Sequence, residues 1–248
     1  MQRPSVGKVV LWLFLLLVAT LVGYFCVQTY RYYAALKRGE ITNNPLLQRQ
    51  LQSRVTKALQ ERPVTQQDLV RLDDPRAPRI GSSTSTLSVS LFLDYDCPYC
   101  KDAYPVWREM MNLYSDRVRF VVHEYPIEEL HPNAFRAAVA AECAQNQGKY
   151  WPFHDRLYTH TEQRDDRSYL QFAREIGLNE DVFLSCLQEQ KTADRIRADQ
   201  AYGAQLGAAG TPTFFFQGVR VDGGLERDQF RSLLEQFLRA VNTSSTKQ

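Results

Sequence analysis

The longest apolar run stands near the start of the chain. From Val9 to Val27 it reads VVLWLFLLLVATLVGYFCV, and no charged residue appears between Val9 and Tyr30. As a helix rising about 1.5 Å per residue, it would span roughly 28 Å, the thickness of a bilayer's hydrocarbon core. The run is longer than the apolar core of a cleavable signal peptide, and no small-x-small cleavage site follows it. It therefore predicts an uncleaved single-pass membrane anchor over residues 9–27, within an N-terminal segment 1–30. Tyr24 and Phe25 stand before Cys26 where a lipoprotein signal would carry small residues. Basic residues flank both ends (Arg3 and Lys8 before, Arg31, Lys37 and Arg38 after), so charge alone does not orient the span.

The pattern then changes. After the turn Asn43-Asn44-Pro45, the residues Leu47, Leu51, Val55, Ala58 and Leu59 recur on one helical face. This predicts a helical stalk over residues 31–80, either a plain spacer or a surface that pairs two copies in a homodimer or packs on the domain that follows. Asp73-Asp74-Pro75 and Ala77-Pro78 end it. Residues 81–248 alternate between the two periods. The pattern predicts a strand at Leu87–Leu93, a helix from Cys97 to about Ser115, and a strand at Val118–His123. A helical block follows over about 130–207, then a strand at Thr213–Gln217, a hairpin turn at Gly218-Val219-Arg220 and an amphipathic helix at Glu226–Val241. Strand–helix–strand, helical block and hairpin together imply an α/β domain with an inserted helical subdomain.

Composition narrows the function. With 30 basic and 28 acidic residues the net charge is +2, and no arginine–aromatic stripe appears, so no nucleic-acid partner is expected. An apolar fraction of 44% and a charged fraction of 23% exclude a disordered chain. Four histidines, none spaced as a metal pair, predict no metal and no cofactor. Five cysteines are too few for a disulfide scaffold, so their placement matters more than their number.

Asp94-Tyr95-Asp96-Cys97-Pro98-Tyr99-Cys100 lies where a strand hands over to a helix. A Cys-x-x-Cys at that junction sets its first sulfur over unpaired backbone N–H groups and the positive end of the helix dipole, which favour a thiolate. Pro98 falls at the first helical position, where a missing N–H costs nothing. Cys97 is then the attacking sulfur and Cys100 the resolving one. Asp94 and Asp96 would oppose the thiolate if their charges lay close to it. The other readings of such a pair are half a zinc site, for which no second Cys or His pair is spaced, a strained structural disulfide, and two inert thiols. Downstream, Gly210-Thr211-Pro212-Thr213-Phe214-Phe215-Phe216 sets a proline at the head of an apolar strand, where its missing N–H is tolerated.

Three segments in this order, FLDYDCPYC (92–100), AAECAQNQGKYWPFHDRLY (140–158) and GTPTFFFQG (210–218), resemble the thioredoxin superfamily and, within it, the DsbA-like thiol–disulfide oxidoreductases. The resemblance covers roughly residues 80–240. It implies a thioredoxin-like fold, a cis bond at Thr211–Pro212 facing the redox pair, and a Thr211 backbone that holds an incoming peptide strand. Pro98, Tyr99, Thr211 and Pro212 would shape the site. It also implies cysteine-containing exported proteins as substrates, an electron-transfer partner in the membrane, and a catalytic domain on the periplasmic or extracytoplasmic side. Cys143 and Cys186, each among apolar residues, read from the residues alone as two buried thiols. Some DsbA-like relatives carry a second disulfide in this subdomain, which implies a bridge between them. Some relatives also carry a buried glutamate in the first strand where Leu91 stands here, so proton transfer must use another group or water.

The direction of reaction stays open between a dithiol oxidase and a reductase or isomerase. A third reading is a redox-inactive module that handles copper through CPYC, with Met110 and Met111 the nearby soft ligands. His123, His131, His154 and His160 read as structural or surface residues, and His123, at a strand end, is the one to test for a role near the site.

Overall fold

The computed structural model describes residues 6–37, 64–162 and 164–245. The chain divides into two units, residues 1–48 and 49–248. In the first, helix α1 (Val6–Lys37) contains the long apolar run and continues past it. Its side chains are described without interruption only from Leu15 to Arg31; residues 9–14, Trp12 apart, lie outside the described side chains. Among the described residues no helix is long and apolar enough to cross a membrane. The expected single-pass anchor over residues 9–27 lies partly outside the described side chains, so this finding bears on its C-terminal part alone. Along the helix the Thr20 and Thr29 hydroxyls donate to the carbonyls of Leu17 and Phe25. The expected stalk helix over Leu47–Leu59, and any pairing of copies through it, fall outside the described residues.

The second unit is built on one five-stranded sheet in the order β1 (Arg79–Gly81), β3 (Val118–Glu124), β2 (Leu87–Leu93), β4 (Thr213–Phe216), β5 (Val219–Asp222). Only β2 and β3 run parallel, joined by the crossover helix α3 (Pro98–Tyr114); the other neighbours are antiparallel. Strand β2 is central and buried on both faces, which is why it reads as a nearly continuous apolar run. Leu87, Val89, Leu91 and Leu93 enter the larger core with Trp107, Met110 and Met111 of α3. Phe92 turns the other way, into a second cluster with Leu72, Tyr202, Leu206 and Phe215.

Two stretches differ from the pattern reading. Helix α2 (Gln66–Leu72) and β1 fall inside the expected stalk, yet both pack on the sheet. Thr65 and Asp68 form a capping box that starts α2, and the Leu72 carbonyl that ends it accepts hydrogen bonds from Ser90 and His123. A two-residue turn, Gln217-Gly218, joins β4 to β5, so Val219 and Arg220 belong to the strand and not to the turn. Both turn residues have positive φ, 47° and 86°, the geometry that matches hairpin twist.

The helical insertion consists of α4 (Ala134–Gln145), α5 (Tyr150–Thr159), α6 (Asp166–Glu175), α7 (Glu180–Cys186) and α8 (Gln190–Gln205). Cys143 of α4 and Cys186 of α7 form a disulfide, with Cα atoms 5.7 Å apart. Helix α8 lies close against the second core. A side chain at Gly203 would meet Tyr125 and Phe92 within 3 Å, so only glycine fits there. Helix α9 (Arg227–Ser245) closes the fold, with Phe230, Leu233 and Leu234 in the larger core.

Candidate active site

Strand β2 delivers the cysteine motif, and Asp94 shapes the turn that follows. Its carboxylate is fully buried and accepts four hydrogen bonds. Oδ1 takes the N–H groups of Asp96 (2.8 Å) and Cys97 (3.1 Å). Oδ2 takes the N–H of Ile127 (2.8 Å) and Nδ1 of His131 (2.8 Å), which must donate because a carboxylate only accepts. The Asp94 charge is thus spent on organising the loop. Asp96 is paired as well, at 2.6 Å from Nε of Arg164. Neither acid is left as the lone opposing charge that the motif alone allows.

Cys97 is the N-cap of α3, with extended backbone (φ −68°, ψ 121°), and Pro98 begins the helix. Both active-site cysteines are free thiols. Cys97 is 4% exposed and Cys100 fully buried. The hydrogen bond from Cys100 lowers the Cys97 thiol most. Burial opposes it, while the Thr211 side chain and the N–H groups of Cys100 and Tyr99 add to it, giving a pKa of about 6 against an ordinary 9.0. Burial pushes the Cys100 thiol well above its ordinary value, and the adjacent Cys97 thiolate adds to the shift. Cys97 therefore ionises first, and Cys100 keeps its proton.

The opposite wall is the Thr211–Pro212 loop, whose peptide bond is cis. The Cys97 thiol donates to the Thr211 carbonyl at 3.3 Å. The loop is tied down by the Gly223 N–H on the Pro212 carbonyl and by the Thr213 hydroxyl on the Gly210 carbonyl, each at 2.8 Å. Tyr99, at 71% exposed, stands on the rim. Cys97, Pro98, Cys100, Thr211 and Pro212 are thus brought together by α3 and β4. Cys143 and Cys186 form their bridge in the insertion. Met110 and Met111 are buried in the core, and among the described residues no group of three or more His, Cys, Asp or Glu could hold a metal.

The histidines divide differently from the sequence reading. His123 is buried on the other face of the sheet, stacked on Phe92 with Nε2 on the Leu72 carbonyl and Nδ1 towards Asp199. Burial lowers its pKa, but the Asp199 carboxylate outweighs that and raises it. Two other histidines touch the motif, His131 through Asp94 and His154 with its ring edge-on to Tyr95. Sequence reasoning also passed over Glu124, at the end of β3 and in register with Leu93. Its Oε1 accepts the hydroxyls of Tyr95 (3.1 Å) and Tyr150 (2.8 Å), while Oε2 has no partner. Burial raises its pKa well above the ordinary value, which favours the protonated carboxyl. The signal that marks it is an acidic residue closing a strand that is buried at nearly every position.

The sequence matches the family model described as Thioredoxin over residues 73–236. Among solved structures it is similar to a thioredoxin-like oxidoreductase from Silicibacter pomeroyi DSS-3, with 30% identity and a TM-score of 0.62 over 69% of this chain and 97% of that one. It also resembles a thiol-disulfide exchange protein of the DsbA type from Wolbachia pipientis, with 22% identity and a TM-score of 0.63 over 73% and 95% of the two chains. Among curated relatives, the Na(+)/H(+) antiporter NhaA of Herminiimonas arsenicoxydans is 31% identical over 171 residues, 68% of this chain and 27% of the antiporter. The chain spans about a quarter of the length of the curated relatives it matches. The chain belongs to the thioredoxin family, and its fold is that of the DsbA-like thiol–disulfide oxidoreductases.

Proposed function

We propose that Cys97 and Cys100 form a redox pair that oxidises dithiols of exported, cysteine-containing proteins. The observation that carries this reading is the split between the two thiols, one lowered to about 6 and the other raised by burial. An acidic first thiol stabilises the reduced pair and makes the oxidised pair the stronger oxidant.

In the oxidising direction, a substrate thiolate attacks Cys97 Sγ in the Cys97–Cys100 disulfide. The new substrate–Cys97 bond forms, the Cys97–Cys100 bond breaks, and Cys100 takes up a proton. A second substrate thiolate then attacks the substrate sulfur of the mixed disulfide, and Cys97 leaves as a thiolate. Two electrons pass from substrate to the pair, so an electron-transfer partner in the membrane must reoxidise it. Pro98, Tyr99 and the Thr211–Pro212 loop frame the surface over which the substrate strand would lie.

The Cys143–Cys186 disulfide supports a periplasmic or extracytoplasmic setting, because such bridges persist where thiols are not continuously reduced. The test is paired. Oxidised protein should restore activity to reduced ribonuclease, and reduced protein should be slow to reduce insulin. Fast insulin reduction with no ribonuclease oxidation would overturn the oxidase reading.

A further inference from the structure

The residue before the nucleophile carries a negative charge, and the structure deals with it from a distance of 68 residues. Arg164 lies between α5 and α6 in the helical insertion, with its side chain 7% exposed. Its Nε donates to Asp96 Oδ1 at 2.6 Å. Nη2 donates to the carbonyls of Tyr95 (3.2 Å) and Leu157 (2.5 Å), and Nη1 to that of His160 (3.4 Å). One guanidinium thus grips two consecutive residues of the redox loop and two carbonyls of the insertion.

We infer that Arg164 is a positioning residue for Cys97, neutralising Asp96 and fixing the loop ahead of the nucleophile so that insertion and redox pair form one electrostatic unit. This rests on the reading of Cys97 as the attacking sulfur. The physical reason is local. Asp96 is only 17% exposed, so solvent screens its charge weakly, and an unpaired carboxylate beside a thiolate would oppose ionisation. An unpaired buried guanidinium would have the opposite effect, and together the two are neutral.

Among the described residues, the other charged groups around the pair are engaged elsewhere or lie apart from it. Arg164 and Asp96 line a cleft of about 600 Å³ with Lys101, Glu162 and Asp165. The Lys101 ammonium donates to Thr161 Oγ1, and Asp165 caps α6 through Ser168. The fourth acid of the region, Asp94, already holds its four donors. The Cys97 pKa fits this picture, since its dominant causes are Cys100, burial, Thr211 and backbone N–H groups rather than the adjacent Asp96.

The inference predicts opposite signs for two substitutions that break the same contact. In the full-length reduced protein, the Cys97 thiolate is titrated by its ultraviolet absorbance. Arg164→Gln should lower the thiolate-to-thiol ratio near pH 6 by at least about threefold, and Asp96→Asn should raise it by a similar factor. The double variant should return close to the parent. A merely structural clasp would move both single variants the same way. Shifts of equal sign, or no shift, would overturn the inference. If Arg164→Gln does not fold, Asp96→Asn decides alone: a rise supports the inference, and a fall or no change overturns it. The titration does not depend on exchange activity, so a parent protein that failed to oxidise ribonuclease would count against the proposed function and leave this result standing.

Discussion

The Cys97 sulfur lies 3.3 Å from the carbonyl oxygen of Thr211, a residue 114 positions further along the chain. That contact joins the two halves of the thioredoxin-like domain at the sulfur proposed to attack. The first half supplies an ionisable thiol at a helix start. The second supplies a loop that faces it and the edge over which a substrate would lie.

The difference in burial and acidity between the two sulfurs predicts unequal variants. Cys97→Ser should abolish exchange, because it removes the thiolate that attacks or is attacked. Cys100→Ser should keep that thiolate and lose resolution, so mixed disulfides with substrate should accumulate and be visible by mass spectrometry without reductant. Accumulation in the Cys97 variant instead would reverse the two roles.

The low Cys97 pKa also links redox state to pH. Its folded value, about 6, lies below the ordinary 9.0. Reduced protein therefore gains stability from this group that is fully present above pH 9 and is lost as pH falls through about 6. The oxidised protein lacks the term. The melting temperature of the reduced form should accordingly rise relative to the oxidised form between pH 6 and 9, and alkylation of Cys97 should inflect near pH 6. A difference between the two forms that did not change with pH would contradict the assignment.

Glu124 has the opposite sign. Burial raises its folded pKa, so above the ordinary 4.5 the unfolded chain releases a proton that the folded chain retains. That lowers stability as pH rises. Glu124→Gln keeps an acceptor for the Tyr95 and Tyr150 hydroxyls and removes the ionisation. The variant should match the parent in urea unfolding at pH 4 and exceed it at pH 8. A variant less stable than the parent at pH 8 would show that the carboxyl is needed in its ionised form.

Much of this arrangement was legible in the chain. The two-sided burial of β2 reads directly from its apolar run, and Cys97-Pro98-Tyr99-Cys100 announces a strand-to-helix junction. The parts that were not legible depend on partners far apart in sequence. Asp94 looks like a charge that would oppose Cys97, and only the fold shows its oxygens occupied by Ile127 and His131. Asp96 looks the same until Arg164 arrives from the insertion. His123 sits at a strand end near the site in sequence, but strand alternation sends its side chain to the far face. The short segments α2 and β1 carry too few residues for periodicity to register.

The Cys143–Cys186 bridge ties α4 to α7. Replacing both residues by alanine should cost about 3–4 kcal/mol by loop-closure entropy for cysteines 43 residues apart. Ribonuclease oxidation by the folded variant should persist. Loss of exchange at a temperature where the variant remains folded would show that the bridge tunes the site and does more than staple the subdomain.

The reduction potential of the Cys97–Cys100 pair tests the central claim most directly. It is read by equilibrating the full chain with glutathione buffers and counting active-site thiols at each ratio. A first thiol lowered to about 6 beside a fully buried partner predicts an oxidising pair, with a potential less negative than about −220 mV. A value more negative than that would make the pair a reductant and contradict the account.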